Sequence, residues 1–200
     1  MTRWVALLRG VNVNGVTVRS ADLQAQFALL RFENVRTVLA TGNVAFDAAD
    51  EPLAVLKRRI ESGLREAFGY DAWIVLLEVS RLQRICADYP FERRDAERHP
   101  YVVFSSDDNV LAELAARAPV SAGKPTDTGD ERIQAADGVL YWEVPLGSST
   151  NTPFARASAA ARYKPFLTTR NLRTLEKVLA VADCWGSSPT RASAMRRLER

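Results

Sequence analysis

Trp4-Val5-Ala6-Leu7-Leu8-Arg9-Gly10 is a five-residue apolar run closed by an arginine and a glycine. Successive side chains of a strand point to opposite faces, so a run with no polar member belongs to a strand covered on both sides. It predicts a first strand at the centre of a sheet. Downstream, Leu23, Phe27 and Leu30 recur at spacings of four and three behind Ser20, a residue able to cap a helix, and Phe32 closes the segment. Val35 to Ala40 and Val44 to Phe46 are two β-rich runs joined by Thr41-Gly42-Asn43, where the glycine permits a tight reversal. Asp50-Glu51-Pro52 supplies a cap, acidic first-turn charge and an early proline to a helix with the stripe Leu53, Leu56, Ile60, Leu64 and Phe68, ending at Gly69. Trp73 to Leu77 completes the order β-α-β-β-α-β, the split βαβ or ferredoxin-like arrangement.

The second half repeats this style with one helix moved to its front. Ser80 is placed to cap Leu82, Ile85, Cys86 and Tyr89, and Pro90 stops that helix. Tyr101 to Phe104 reads as a strand, Asn109 to Arg117 as a helix, and Pro119 to Asp130 as a polar loop. Arg132 to Ala136 and Val139 to Val144 flank Asp137-Gly138, the strongest short hairpin signal in the chain. A helix starts at Asn151-Thr152-Pro153 and runs to about Tyr163, a short strand lies near Phe166 to Thr168, and Leu172 to Ala182 is amphipathic. The predicted fold class is α+β, two tandem ferredoxin-like subdomains with mainly antiparallel sheets. They span residues 1–78 and 79–185, followed by a flexible basic tail over 186–200.

Composition narrows the function. The net charge of +3 resides in Gly186 to Arg200, and residues 1–185 hold 23 basic and 23 acidic side chains. Nucleic acid is therefore an unfavoured partner for the folded body, although 23 of the 27 basic residues are arginine, the better fork for phosphate and carboxylate. Trp4, Trp73, Tyr141 and Trp142 fall on predicted strands and read as core rather than as a base-stacking platform. No apolar run approaches the length of a membrane helix, which predicts a cytoplasmic protein with no membrane partner. Cys86 and Cys184 stand apart without CxxC spacing, and His99 is the sole histidine, in a charged loop. No metal site or cofactor is expected, and the pair reads as free thiols.

Leu7-Leu8-Arg9-Gly10-Val11-Asn12-Val13, Thr41-Gly42-Asn43-Val44, and Thr168-Thr169-Arg170-Asn171 with Thr174 and Lys177 together make the chain resemble the family catalogued as domain of unknown function 1697. The likeness runs from residue 3 to about 182. It implies a bacterial protein with tandem ferredoxin-like α+β subdomains and brings no activity, substrate or cofactor. The chain departs from the family pattern at Asn14-Gly15-Val16, where a second glycine and a basic residue are common, at Leu172, where Trp is typical, and at Asn151-Thr152-Pro153-Phe154.

In a β-α-β-β unit the end of the first strand and the second-strand hairpin emerge at one end of the sheet. That placement groups Arg9, Asn12 and Asn14 with Thr41, Gly42 and Asn43. Turn N–H groups, a nearby helix start and the Arg9 guanidinium suit a small anionic ligand, phosphate or carboxylate. The competing reading is structural: Arg9 pairs locally, and Asn12 and Asn43 satisfy turn backbone. Arg170, Asn171 and Lys177 form a second polar set, with Asn171 or Thr169 capping the last helix. A binding module for a small anion is the first expectation. An enzyme acting on a small phosphorylated substrate and a weak nucleic-acid-binding protein are the alternatives, and no Walker loop, HExxH or Ser/His pair supports the enzyme.

Overall fold

The computed structural model describes residues 1–9, 18–39, 42–69, 72–117, 126–127 and 131–184. The first half runs β1 (Thr2–Leu8), α1 (Ser20–Leu29), β2 (Glu33–Thr37), β3 (Asn43–Ala48), α2 (Leu53–Phe68) and β4 (Ile74–Glu78), followed by α3 (Val79–Ala87). The second runs β5 (Arg98–Ser105), α4 (Asp108–Arg117), β6 (Thr126–Asp127), β7 (Arg132–Ala136), β8 (Val139–Pro145), α5 (Pro153–Ser158), a 3-10 turn at Ala161–Tyr163, and β9 (Leu167–Asn171), followed by α6 (Leu172–Asp183). The protein is α+β, with two antiparallel sheets and six helices among the described residues. The sheets are ordered β2-β3-β1-β4 and β6-β7-β8-β5-β9. Set aside the two-residue β6, and each sheet has the order second-third-first-fourth.

Helix α3 follows β4 as α6 follows β9. These two helices decide how the halves combine. Val5, Leu7, Ala45, Val75 and Leu77 on one face of the first sheet, and Val102, Phe104, Val139 and Tyr141 on one face of the second, share a single buried cluster. Leu82, Ile85 and Cys86 of α3 and Leu172, Leu175, Val178 and Ala182 of α6 complete it. The opposite face of the first sheet, with Trp4, Ala6, Leu8 and Phe46, packs on α1 and α2. That of the second, with Val103, Leu140, Trp142 and Val144, packs on α4 and α5. The layers therefore run α-β-α-β-α. The apolar run at β1 demands this, because both its faces are filled and Val5 to Leu8 are at most 1 % exposed.

Local signals behave unevenly. Asp137 and Gly138 both have positive φ, 51° and 71°, as the tight hairpin requires, and a Cβ on Gly138 would meet the Arg81 guanidinium. Thr152 caps α5 through its hydroxyl, with Pro153 at the first helical position. Ser20 and Ser80 cap nothing: α1 begins at Ser20 itself, and α3 begins one residue before Ser80, which instead bonds Glu78. Pro52, not Asp50, precedes α2, and it supplies no side-chain cap. His99 lies within β5 opposite Val144, so it is not a loop residue. Trp73 precedes β4 and is 39 % exposed, correcting its assignment to the core, whereas Trp4, Tyr141 and Trp142 are buried. The expected tail over 186–200 lies outside the described residues.

One cluster shared by both sheets predicts a single cooperative unfolding transition in guanidinium, followed by circular dichroism and tryptophan fluorescence. Leu175→Ala, in the central layer, should lower stability by about 2–5 kcal/mol without splitting that transition. Two separable transitions in the wild type would show that the halves unfold independently.

Candidate functional site

The end of β1 and the β2–β3 hairpin meet at one end of the first sheet. The Leu8 N–H donates to the Gly42 carbonyl at 2.7 Å, and the Arg9 N–H donates to the Trp73 carbonyl at 2.9 Å. Gly42 takes φ 71°, and Leu39 also sits in the left-handed region at φ 59°, a conformation uncommon for leucine. Asn43 is fully buried. Its amide Nδ2 donates to the Val38 carbonyl at 3.0 Å, and its backbone carbonyl accepts from the Val38 N–H, which clamps the hairpin from inside.

The second sheet closes onto this corner through β9. Arg170 donates from Nε to Asn43 Oδ1 at 2.8 Å, from Nη2 to the Leu8 carbonyl, and from Nη1 to Thr168 Oγ1 and the Thr169 carbonyl. Arg9 reaches the other way, donating from Nη1 to the Leu167 carbonyl at 2.6 Å and to the Tyr163 carbonyl at 3.4 Å. Each half thus lends one arginine to the other's backbone. Among the described residues, Nε and Nη2 of Arg9 donate to nothing. Burial lowers the Arg9 pKa. Burial, reinforced by the like charge of Arg9, pushes that of Arg170 down to about 10. Both guanidiniums stay charged at neutral pH, side by side in a partly desolvated place. A crevice beside Arg9 is walled by the exposed Trp73 and by Pro165 to Thr168.

Of the residues singled out from sequence, Arg9, Gly42, Asn43 and Arg170 come together here. Arg170 joins the first set instead of heading a second one, because β9 is the edge strand that faces β1 and β3. Asn12, Asn14 and Thr41 lie outside the described residues. Asn171 caps α6, its Oδ1 accepting from the Arg173 N–H at 2.9 Å. Lys177 stands elsewhere, on the outer face of α6 with Arg93, Arg94 and Arg173.

Two buried carboxylates carried no signal in the sequence. Glu131 accepts from Trp142 Nε1 at 2.9 Å and from the Phe154 N–H at 3.0 Å, pinning β8 to the start of α5. Glu143, with no exposed surface, takes Arg98 at 2.9 Å and Arg132 at 3.2 Å on Oε2. Burial raises its pKa against the pull of those two arginines, and Asp95 adds to the rise. A glutamate within the apolar run of β8 reads as an outward-facing residue until the neighbouring strands are known. Cys86 is buried, and that burial, with Glu176 assisting and Arg93 opposing, pushes its thiol up to about 12, which disfavours the reactive thiolate. Among the described residues no three His, Cys, Asp or Glu side chains converge as a metal site, and no helix is long and apolar enough to cross a membrane.

Against known proteins, the family model described as "Protein of unknown function (DUF1697)" matches residues 1–141. The conserved bacterial protein SP0830 from Streptococcus pneumoniae has a similar solved structure, with a TM-score of 0.72 at 21% identity, over 92% of this chain and 99% of that one. At that identity the likeness concerns the fold alone. A search of curated proteins found no match.

Truncating Arg170 removes a charged donor from the buried Asn43 amide oxygen and from the Leu8 carbonyl. Arg170→Ala should therefore cost about 2–4 kcal/mol in chemical denaturation, with Arg170→Lys recovering only part, and a loss below about 0.5 kcal/mol would mean the staple is ornamental. A glutamate whose folded pKa is raised contributes stability that is fully present below its unfolded pKa and is lost as pH rises through the folded value. The stability of wild type relative to Glu143→Gln should accordingly shrink as pH rises above about 4.3 toward neutrality. Growth of that difference with pH would show that pairing with Arg98 and Arg132 outweighs burial.

Proposed function

The chain belongs to the DUF1697 family of proteins of unknown function, and on that premise we propose that it is a binding module for a small anion, a phosphate or carboxylate, at the Arg9–Asn43–Arg170 corner. One observation carries the reading: the Arg9 and Arg170 guanidiniums stand together in a partly desolvated corner, and among the described residues the Arg9 side chain donates from Nη1 to the Leu167 and Tyr163 carbonyls, with Nε and Nη2 left over. Carbonyl acceptors satisfy hydrogen bonds of Arg9 without cancelling its charge, so an anion entering beside Arg9 would gain from that cation in a medium of reduced dielectric. The unused Nε and Nη2 of Arg9 offer the fork, and Arg170 supplies fixed positive charge behind it. The left-handed Leu39 beside the hairpin supports a functional loop, since such conformations gather at ligand sites. Trp73, exposed next to Arg9, favours an anion that also carries a flat or apolar group.

The corner's described side chains are two guanidiniums, an amide and a threonine hydroxyl. They bind and polarise but provide no general base, so binding is preferred here over turnover on a phosphorylated substrate. The same reading takes the two sheets, with their shared strand order, as a duplicated ferredoxin-like unit divided near residue 78. An exposed free thiol at Cys184 is compatible with a reducing cytoplasm.

Thermal-shift titration with orthophosphate, mononucleotides, sugar phosphates and simple carboxylates tests the reading. A ligand present at about 100 times its Kd should add about 2.7 kcal/mol, a rise of several degrees in Tm. Arg9→Ala should abolish that rise while keeping the fold, because among the described residues the Arg9 side chain donates to two carbonyls alone and its backbone bond to Trp73 survives the substitution. Absence of any shift across the panel, or an unchanged shift in Arg9→Ala, overturns the assignment.

A further inference from the structure

Helix α6 turns Leu172, Leu175, Val178 and Ala182 into the central core, and the opposite side of its cylinder carries Arg173, Glu176, Lys177 and Ala180 at spacings of three, four and seven. That outer face does not stand alone. The segment between α3 and β5 brings Arg93 and Arg94 beside it, and the six residues enclose a groove of about 520 Å3. Four cationic side chains face one carboxylate across that space. Ala180 leaves its floor without a long side chain.

Arg93 is held in place. Its Nη2 donates to the Cys86 and Ala87 carbonyls, both at 2.6 Å, satisfying acceptors at the end of α3, and its Nη1 lies 4.0 Å from Glu176. The turn presenting Arg94 is tied by the Arg94 N–H to Glu92 Oε1 at 3.1 Å, and the base of Arg173 by the Asn171 cap. Among the described residues, no hydrogen bond or ion pair engages the head groups of Arg94, Arg173 or Lys177. Three unoccupied cationic heads on tethered backbones, around a groove with one anchored arginine, form a concentration of positive charge on a body, residues 1–185, whose charges sum to zero.

We propose that this groove is a second anion site, separate from the Arg9 corner, and that it takes a short chain of linked phosphates. A single phosphate can meet one or two of these heads, whereas a tripolyphosphate-length anion spans the groove and meets Arg94, Arg173 and Lys177 together. No aromatic side chain lines the groove, so it lacks the stacking surface by which single-stranded nucleic acid is held, and the phosphates alone are recognised. Glu176 opposes the anion and limits its affinity.

Calorimetric titration of the full chain with inorganic tripolyphosphate at low salt tests the proposal. Binding should be saturable and salt-sensitive, and orthophosphate should bind at least about tenfold more weakly. The double variant Arg94→Glu/Lys177→Glu should lose at least about tenfold in tripolyphosphate affinity, whereas Glu176→Gln should gain severalfold, a gain that a damaged fold cannot produce. Because the Arg9 corner is itself read as a phosphate site, the titration is repeated in the Arg9→Ala background, where saturable tripolyphosphate binding should persist and should fall at least about tenfold on adding Arg94→Glu/Lys177→Glu, which assigns it to the groove. The proposal is overturned if tripolyphosphate does not bind, if Arg9→Ala abolishes its binding, or if Glu176→Gln weakens it. It is equally overturned if an oligonucleotide binds with affinity that grows with length while tripolyphosphate does not, since the partner would then be a nucleic-acid backbone.

Discussion

Everything in this fold follows from strands that have no polar face. In β1, Val5 and Leu7 point one way and Ala6 and Leu8 the other, and all four are out of water. A sheet built around such a strand needs a cover on each side, and α1 with α2 can serve only one of them. The second sheet has the same need. Placing α3 and α6 between the sheets meets both demands with one layer, because a buried helix in that position turns apolar side chains toward each sheet at once. A fully buried Leu is worth about 1.5–3 kcal/mol, so the central layer, with Leu82, Leu172 and Leu175 all at 0 % exposure, is a principal source of stability.

Stacking two sheets against shared helices also fixes where their ends meet. The ladder between β1 and β3 stops at Leu8 and Gly42, leaving the Leu8 carbonyl at a place where a further strand residue would otherwise donate. Arg170 fills that role from the other sheet, and Arg9 answers by donating to carbonyls near the start of β9. Backbone ends that water cannot fully reach require donors, and arginine provides several from one planar group. The charge at the corner is thus a by-product of closing the interface. Two cations stand together because two sets of carbonyls needed donors, and that coincidence is what equips the corner for an anion.

Short-range rules succeeded where the backbone itself states the requirement. Asp137-Gly138 must turn with positive φ, Thr152-Pro153 must start a helix, and Asn171 must cap one; all three do so. The rules failed where packing had the casting vote. Ser20 and Ser80 look like caps, yet Leu23 and Leu82 have to face their sheets, and the helix starts shift to allow it. Trp73 was drawn toward the core by its neighbours' apolarity, but its place just before β4 leaves the ring beside Arg9 and partly in solvent. Glu131 and Glu143 sit in polar-looking positions, and only the strands and helix around them reveal that each is a buried anchor.

The chain by itself determined the α+β class, the order of most elements and the meeting of Arg9 with Gly42 and Asn43, because period, turn chemistry and the handedness of a strand-helix-strand crossover are local properties. Only the tertiary structure decided that Arg170 completes that corner, that Lys177 belongs to another surface, and that α3 and α6 form one layer. Residues 9 and 170 are separated by most of the chain, and no periodicity or spacing records which carbonyls a distant guanidinium will reach. Their contact depends on two sheets sharing one set of helices, a choice made by burying area on both faces at once.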